Sequence, residues 1–387
     1  CCVDLDQFGA INDRLGSPVG DRLLVAVADR LRAADPGRLV ARHHGDRFVI
    51  LIPDTTGAED ATKLADRALT SLTAPFHVDG HELSISASAG VVERPAAGAS
   101  AVELIRAADV ALHWAKADGR GCWALFEPRR SAADVARYRL SAAMPAALRR
   151  REFSLAYQPL VDLRTGGVVG YEALARWQHP EHGLLGADQF VAQAEDTGLI
   201  VPLGIRLLEQ ACQRATRWPA QPGDRTPYVS VNVSARQLQQ PGLVGEIAEV
   251  LDRTGLPAIR LQLEITESAV VETDADTIGR LLALSQLGIR IVIDDFGTGY
   301  SNFAYLYDLP VHGIKLAGRL LGEDRRAGRA GHAVLAALVS LGRTLGLTVT
   351  AEGVETARQA RLLRVLGCHV GQGFHLGRPD QAGPAAS

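Results

Sequence analysis

Carboxylate and amide side chains recur along residues 153–380, each at the end of a short apolar stretch. In residues 261–266, Glu264 alternates with leucine and isoleucine, so it shares one face of a predicted strand with Gln262 and Thr266. Eight such strands fit the length of a (β/α)₈ barrel, whose strand ends meet at one face. The polar residues predicted to meet there are Gln158, Glu172, Asn232, Glu264, Asp294, Asp295, Lys315, Glu352 and Gln372.

Five carboxylates gathered in one barrel mouth would repel each other unless cations neutralise them. Oxygen ligands favour Mg²⁺ or Mn²⁺, and paired ions of this kind promote in-line displacement at phosphorus. Lys315 adds a positive charge for a developing phosphorane, and Arg176 has the fork geometry of a phosphate clamp. Any one of these residues alone is typical of a solvent-facing strand, but polar residues at eight strand ends in series favour phosphodiester hydrolysis.

Residues 141–380 also contain a series of separated motifs. They are Tyr157-Gln158-Pro159, Glu172-Ala173-Leu174-Ala175-Arg176-Trp177, Asn232-Val233-Ser234, Glu264-Ile265-Thr266-Glu267, Asp294-Asp295-Phe296-Gly297-Thr298-Gly299-Tyr300-Ser301, Ala351-Glu352-Gly353-Val354-Glu355 and Gln372-Gly373. Together they resemble the EAL-domain family, whose members have a modified TIM barrel and cleave cyclic di-GMP to linear pGpG. The resemblance implies an EAL phosphodiesterase domain over residues 151–380.

The same resemblance implies a role for each matching residue. Glu352 is the implied base for the attacking water, Lys315 would contact that water, and Glu267 would brace the loop 296–301. In the family this loop couples dimerisation to metal binding, so a homodimer through the EAL domain is expected. The implied ligands are Glu172, Asn232, Glu264 and Asp294 for one ion, and Asp294, Asp295 and Glu352 for a second. The implied substrate contacts are Arg176 to a phosphate, Gln372 at the site wall, and Gln158 and Leu174 beside them.

One departure from the family pattern bears on activity. The family usually has Lys-x-Asp where this chain reads Lys315-Leu316-Ala317. Losing that carboxylate would reduce or abolish turnover without removing an implied metal ligand. The alternative to an enzyme is therefore an inactive barrel that binds cyclic di-GMP as a receptor, and a partner-binding scaffold is a third possibility.

Residues 1–127 alternate strand-like and helical segments, including a strand predicted over residues 83–91 and a helix over 101–117. Their motifs are Asp4-Leu5-Asp6, Ile11-Asn12-Asp13, Gly20-Asp21, Ala115-Lys116 and Gly119-Arg120. They resemble the GGDEF family of diguanylate cyclases, from which an α/β sandwich is expected. A helix-prone segment over 128–150 would connect this domain to the barrel.

The GGDEF signature itself is altered here to His44-Gly45-Asp46-Arg47-Phe48. Arg47 replaces the implied metal-binding glutamate, and the Cβ of His44 crowds a turn that approaches phosphate. We therefore expect a degenerate domain without cyclase activity. Asp4, Asn12 and Asp21 remain at positions that the family uses for metal and guanine. GTP binding that regulates the barrel and a retained structural scaffold are equally open.

Composition limits the partners. The formal net charge is −3, so binding to nucleic acid is not expected. No apolar run reaches the ~20 residues of a membrane span, and the five scattered cysteines favour a reducing, cytoplasmic setting. The chain starts at Cys1, directly in patterned sequence, so we expect the GGDEF domain to be N-terminally incomplete and the full protein to have an upstream part, where a membrane anchor is possible.

Overall fold

The computed structural model describes residues 1–53, 55–95, 97–220, 226–271, 274–297, 306, 309–321 and 328–381. The chain divides into two compact units, residues 1–136 and 137–387, and each is described by itself. The helix predicted over 128–150 is present as Pro128–Arg150 and crosses the boundary between the units.

The first unit is a five-stranded sheet covered by helices. Its strands are β1 Cys2–Leu5, β2 Leu39–His44, β3 Arg47–Leu51, β6 Ala87–Val91 and β7 Trp123–Leu125, in the order β2-β3-β1-β6-β7, beside a separate hairpin of β4 Phe76–Val78 and β5 His81–Leu83. Its helices are α1 Phe8–Leu15, α2 Ser17–Ala34, α3 Ala58–Ser71, α4 Ala101–Ala117 and the start of α5 Pro128–Arg150. The helix predicted over 101–117 is confirmed. The single strand predicted over 83–91 is wrong, because β5 and β6 belong to different sheets and residues 84–86 separate them.

The second unit is a closed barrel of eight strands. The strands are β8 Phe153–Asp162, β9 Val168–His179, β11 Tyr228–Asn232, β12 Leu261–Thr266, β13 Arg290–Phe296, β14 Gly313–Leu316, β15 Thr348–Ala351 and β16 Val370–Gly371, with β10 Gly183–Gly186 paired to the far part of β9. The helices described after α5 are α6 Val191–Thr197, α7 Ile200–Ala215, α8 Ala235–Leu238, α9 Leu243–Thr254, α10 Glu267–Val271, α11 Ala275–Gln286, α12 Gly328–Thr344 and α13 Ala357–Leu366. Three short 3₁₀ helices lie at Ala187–Gln189, Ala258–Arg260 and Gly318–Leu321.

The barrel departs from a simple (β/α)₈ pattern at its first strand. Strand β8 is antiparallel to both neighbours, β9 and β16, whereas the other neighbouring pairs in the ring are parallel. Gln158 therefore lies in the middle of its strand and pairs in register with Glu172, also within a strand. The expectation that every site residue follows a strand end is wrong for these two, because β8 and β9 form a hairpin.

The predicted alternation of faces is confirmed along the parallel strands. In β11, Val229 and Val231 belong to the apolar core between barrel and helices, and Ser230, fully buried, lies on the opposite face. In β12, Leu261 and Leu263 likewise pack outward, while Gln262 and Glu264 are buried on the inward face. The interior of the barrel is consequently polar where the site residues lie.

None of the helices among the described residues combines the length and the apolar character that crossing a membrane requires.

Two histidine side chains accept hydrogen bonds from backbone amides near the amino-terminal ends of the barrel strands. His312 Nδ1 accepts a hydrogen bond from the Ile291 amide at 3.1 Å, and His369 Nδ1 accepts one from the Val349 amide at 3.0 Å. An imidazole nitrogen accepts only when it is unprotonated. Burial, together with Arg290 near His312 and Arg343 near His369, lowers the pKa of both side chains, although Asp162 acts in the opposite direction on His369.

We predict that these histidines make the barrel less stable in mild acid. Their pKa values are lower in the folded than in the unfolded chain, so their contribution is present above about pH 6.5 and is lost as the pH falls. Because both residues are only partly buried and keep more than a third of their surface exposed, the loss should not exceed about 1 kcal/mol for each. Urea unfolding between pH 8 and pH 5 measures it. The double variant His312→Asn/His369→Asn keeps an acceptor that does not titrate and should lose less stability in acid, and equal losses in both proteins would refute the assignment.

Candidate active site

The carboxyl ends of the barrel strands surround a cavity of about 660 Å³. The predicted site residues that line it are Gln158, Glu172, Leu174, Asn232, Asp294, Asp295, Glu352 and Gln372. Glu264 and Lys315 do not line it, because both are about 1% exposed and lie deeper in the barrel. The structure thus brings together, at one mouth, groups that are up to 214 residues apart in sequence.

The Lys315 ammonium lies among four carboxylates. Its Nζ is 2.6 Å from Glu352 Oε1, 2.7 Å from Glu264 Oε2, 3.3 Å from Glu172 Oε2 and 3.6 Å from Asp294 Oδ1. Glu172, Glu264 and Asp294 lie in three different strands, and Glu352 directly follows a fourth. One positive charge cannot balance four ionised carboxylates, so full ionisation would leave a surplus of negative charge.

A chain of amides fixes Glu172. Asn232 Nδ2 donates to Glu172 Oε1 at 2.7 Å, and Gln372 Nε2 donates to Glu172 Oε2 at 2.5 Å. Gln372 Nε2 also donates to Gln158 Oε1 at 3.0 Å, and Gln158 Nε2 donates to the Gly377 carbonyl at 3.1 Å. Each amide is thereby held in one orientation. The Gln372 Oε1 atom is buried and, among the described residues, has no hydrogen-bond partner.

Sequence reasoning missed the support of Glu264. Ser230 Oγ donates to Glu264 Oε1 at 2.6 Å, and Gln262 Nε2 donates to Ser230 Oγ at 2.9 Å. All three side chains are buried in the layer beneath the mouth. Strand parity was the available signal, since Ser230 and Gln262 each lie two residues before a site residue on the same face.

A bulge in β13 turns two adjacent aspartates toward the same cavity. Neighbouring residues of a regular strand point to opposite faces. Here the pairing with β14 shifts between Ile293 and Phe296, and Asp295 has a φ of +54°. Asp294 and Asp295 consequently both line the cavity, an arrangement suited to bridging two cations.

Glu352 lies where two loops approach closely. Gly353 has a φ of +65°, and a Cβ there would lie 2.9 Å from the Gly318 Cα, so glycine is required. The Glu352 amide donates to the Leu316 carbonyl at 3.0 Å, which fixes this loop against the end of β14. Ala317, where the family usually has aspartate, is buried and does not line the cavity.

Of the loop 296–301, the structure describes residues 296 and 297. The Gly297 amide donates to Glu267 Oε2 at 2.9 Å, and Glu267 is itself buried. The assignment of Glu267 as the brace of this loop stays a prediction. Residues 298–301 lie outside the described residues.

Burial and mutual repulsion shift the acidic pKa values. Burial, then Glu172, raises the pKa of Glu264 well above its ordinary value. Burial and nearby carboxylates also raise the pKa of Asp294, and that of Glu352 to about 7, despite the opposing charge of Lys315. Burial would also raise the pKa of Glu172, but Lys315 and the amides of Gln372 and Asn232 outweigh it and lower that pKa.

The oxygen atoms that line the cavity suit divalent cations in both their chemistry and their charge. The lining offers carboxylate and amide oxygens, which Mg²⁺ and Mn²⁺ prefer, and the partnerless Gln372 Oε1 lies beside them. In this structure, however, no three acidic, histidine or cysteine side chains among the described residues are arranged to hold an ion. Four of the carboxylates instead surround Lys315, so holding an ion would require these side chains to rotate.

Arg176 does not line the cavity. Its guanidinium donates to the carbonyl of Ala175 at 2.8 Å, and the side chain is half-buried. Its assignment as a phosphate clamp stays a prediction.

The residues implied for nucleotide binding in the first unit differ from one another in their surroundings. Asp4 is paired with Arg47 at 3.3 Å and with the Lys116 ammonium, and Arg47 also bonds Asp109 at 2.9 Å. Asp21 is exposed, while Asn12 Oδ1 is buried and packs against the Gly20 backbone. The two cations neutralise Asp4 from within the protein.

The barrel has one antiparallel strand and an acidic mouth. Comparison with known protein families identifies the class of protein to which it belongs. The family model described as EAL domain matches residues 141–379, more than half of the chain, so the chain belongs to the EAL-domain family. The model described as diguanylate cyclase, GGDEF domain, matches residues 1–122.

Individual relatives have the same layout. The chain is 40% identical over 381 residues to the bifunctional diguanylate cyclase/cyclic di-GMP phosphodiesterase MucR of Pseudomonas aeruginosa, covering 98% of this chain and 55% of that protein. It is 38% identical over 378 residues to the cyclic di-GMP phosphodiesterase NbdA of the same organism, covering 97% of this chain and 48% of that one. The chain thus spans about half the length of these curated relatives. The solved PaMucR phosphodiesterase in complex with c-di-GMP is 42% identical, with a TM-score of 0.59, over 62% of this chain and 97% of that one.

We predict that Lys315→Met destabilises the barrel strongly when divalent cations are removed. The substitution leaves four buried or half-buried carboxylates without their shared cation, and breaking such a buried pair costs about 3–5 kcal/mol. Added Mg²⁺ should restore part of the loss. Hydrogen exchange of barrel peptides in EDTA and in Mg²⁺ measures both effects.

Arg253→Met is a suitable control, because Arg253 pairs with Glu209 and Glu249 at the surface. That change should cost less than about 1 kcal/mol and should not respond to Mg²⁺. Similar losses in the two variants would contradict the central role assigned to Lys315.

Proposed function

We propose that the barrel hydrolyses cyclic di-GMP to linear pGpG with two bound divalent cations, Mg²⁺ or Mn²⁺. The observation that carries the proposal is the convergence of Glu172, Asn232, Asp294, Asp295 and Glu352 on one cavity, with Lys315 directly behind them. Membership of the EAL family and the names of the relatives support cyclic di-GMP as the substrate.

Bound cations would supply charge neutralisation for the scissile phosphate and lower the pKa of the attacking water. Glu172, Asn232, Glu264 and Asp294 would hold one ion, and Asp294, Asp295 and Glu352 the other. Glu352 would accept the proton of the water. Lys315 would favour the ionised form of the carboxylates and stabilise charge that develops on the phosphate oxygens.

The cavity wall offers contacts for the rest of the substrate. Gln158, Leu174 and Gln372 line it, and the amides of the two glutamines are already held in place by hydrogen bonds. Amides fixed in this way lose little side-chain entropy when a ligand binds. Arg176 would serve as a phosphate clamp if its guanidinium leaves the Ala175 carbonyl.

The second candidate is a receptor that binds cyclic di-GMP without cleaving it. The observation in its favour is Ala317 at a position where the family usually has an acid. Against it, Ala317 is buried away from the cavity lining, and the chain retains the full set of oxygen donors.

We predict that purified protein with Mn²⁺ converts cyclic di-GMP to pGpG and that Glu172→Ala lowers turnover at least about 100-fold. The substitution removes a metal ligand and the acceptor of two amide donors, and changes around metal sites have effects of this size. Chromatography of the products measures turnover. Glu246→Ala, at an exposed position of α9, should retain wild-type turnover.

Unchanged turnover in Glu172→Ala would refute the metal assignment. Tight binding without product in the wild-type protein would favour the receptor, and absence of binding would favour a structural scaffold.

We also propose that the first domain has no cyclase activity. Arg47 puts a guanidinium, rather than a carboxylate, beside Asp4, and Lys116 neutralises Asp4 from the other side. These internal ion pairs already engage Asp4, which opposes the binding of a cation by its carboxylate. The domain then serves either as a GTP-binding regulator or as a scaffold.

We predict that GTP and Mg²⁺ yield no cyclic di-GMP, even in Glu172→Ala, where the barrel would not remove it. Mass spectrometry of the mixture measures this, and accumulating cyclic di-GMP would contradict the proposal. In the same preparation, saturable GTP binding would favour the regulator, and its absence would favour the scaffold.

Two further proposals concern the setting of the protein. We propose a homodimer through the EAL domain, because Glu267 accepts a hydrogen bond from Gly297 at the start of the loop 296–301, which the family resemblance links to dimerisation. We also propose a cytoplasmic location, because all five cysteines are free thiols.

A further inference from the structure

The interior of the barrel holds polar side chains directly beneath the mouth. Ser230 and Gln262 each lie two residues before a residue assigned to a cation, Asn232 on β11 and Glu264 on β12. At about 3.3 Å per residue, they lie about 7 Å closer to the amino-terminal ends of these strands. Ser230 is fully buried and Gln262 is 3% exposed. Neither side chain lines the mouth cavity, so neither is placed to contact a substrate there.

Hydrogen bonds connect these two side chains to one oxygen of Glu264. Ser230 Oγ lies 2.6 Å from Glu264 Oε1, and Gln262 Nε2 lies 2.9 Å from Ser230 Oγ and 3.5 Å from Glu264 Oε1. Because Gln262 donates to Ser230 Oγ, the single hydroxyl hydrogen of Ser230 is directed to Glu264. The chain of donors therefore runs from Gln262 through Ser230 to Glu264, and bonds in such a chain strengthen one another.

The other oxygen of Glu264 faces the acidic cluster. Glu264 Oε2 lies 2.7 Å from Lys315 Nζ, which also contacts the three other carboxylates of the cluster. The two oxygens of Glu264 thus have different surroundings, since Oε1 lies among neutral donors and Oε2 among charged groups. With Oε1 engaged by Ser230, Oε2 is the atom that stays directed toward a cation.

The local structure holds these groups precisely and without added charge. Strands β11 and β12 pair in register at Ser230 with Gln262 and at Asn232 with Glu264, so the chain of donors is built on one ladder. Groups on strands are held more precisely than groups on loops. A hydroxyl fixes a carboxylate by a hydrogen bond and brings no positive charge that would repel a bound cation.

We propose that Ser230 and Gln262 are positioning residues that hold Glu264 so that Oε2 alone ligates a divalent cation. The inference rests on the proposed two-cation function and adds the residues that set the affinity for one ion. Ser230 acts directly on Glu264, and Gln262 acts through Ser230. Without the hydroxyl, Oε1 loses its donor and the carboxylate is free to turn away from the cation.

The test is a titration of the full chain with Mn²⁺, in which electron paramagnetic resonance of the free ion reports binding without any turnover. Ser230→Ala removes the hydroxyl, and Gln262→Met removes the amide at a similar length. Thr348→Val is the matched control. The Thr348 hydroxyl accepts a hydrogen bond from Arg290 Nη2 at 3.3 Å and is half-buried at the opposite end of the barrel. Urea unfolding of each variant in EDTA measures the cost to the fold separately.

We expect the wild type to bind Mn²⁺ and Ser230→Ala to bind at least one ion at least about 10-fold more weakly, as is usual when a hydrogen-bond partner of a metal ligand is removed. Gln262→Met should weaken binding by a smaller factor, because its effect passes through Ser230. Thr348→Val should lose some stability in EDTA and bind Mn²⁺ as the wild type does.

Wild-type Mn²⁺ affinity in Ser230→Ala would overturn the proposal, and wild-type affinity in Gln262→Met would refute the part assigned to Gln262. An equal loss of affinity in Thr348→Val would also overturn it, because a general loosening of the barrel would then explain the change. A wild-type protein that binds no Mn²⁺ would refute the proposed two-cation hydrolysis as well, whereas tight binding by both the wild type and Ser230→Ala would refute the positioning role alone.

Discussion

The interaction on which the barrel interior depends is the contact of one ammonium with several carboxylates. Lys315 is about 1% exposed and lies within 3.6 Å of oxygens from Glu172, Glu264, Asp294 and Glu352. Removing such charges from water is costly, so each must be paired or hydrogen-bonded. Ser230, Gln262, Asn232 and Gln372 supply those hydrogen bonds, and these requirements account for the polar interior of the barrel.

The two units handle negative charge in opposite ways. In the first unit, Asp4 and Asp109 face Arg47 and Lys116, so two acidic groups meet two basic groups. In the barrel, four acidic groups share Lys315. A balanced cluster has little need of a cation, whereas an unbalanced one attracts it. The chain has lysine at positions 63, 116 and 315 alone, and two of these three belong to the clusters.

The antiparallel first strand has a direct consequence for the site. Because β8 and β9 form a hairpin, Gln158 lies opposite Glu172. Gln372 donates to both of these side chains, and Gln158 in turn donates to the Gly377 carbonyl. The same strand β9 runs past the end of β11 at the mouth and pairs with β10 from Arg176 onward. A ring of parallel strands alone would not provide this hairpin or its amide chain.

Alternation of polar and apolar residues was enough to predict eight strands, their inward faces and most of the residues that line the mouth, because side-chain direction in a strand follows from sequence parity. Their place at a strand end predicted both Asp294 and Asp295 at the mouth, but parity puts neighbours on opposite faces, and the bulge in the pairing with β14 is what lets both line the cavity. Nor could parity predict that Arg176 turns to the Ala175 carbonyl or that Arg47 pairs with Asp4. Those outcomes depend on which groups the fold brings within reach, and such distances are fixed by tertiary packing rather than by spacing along the chain.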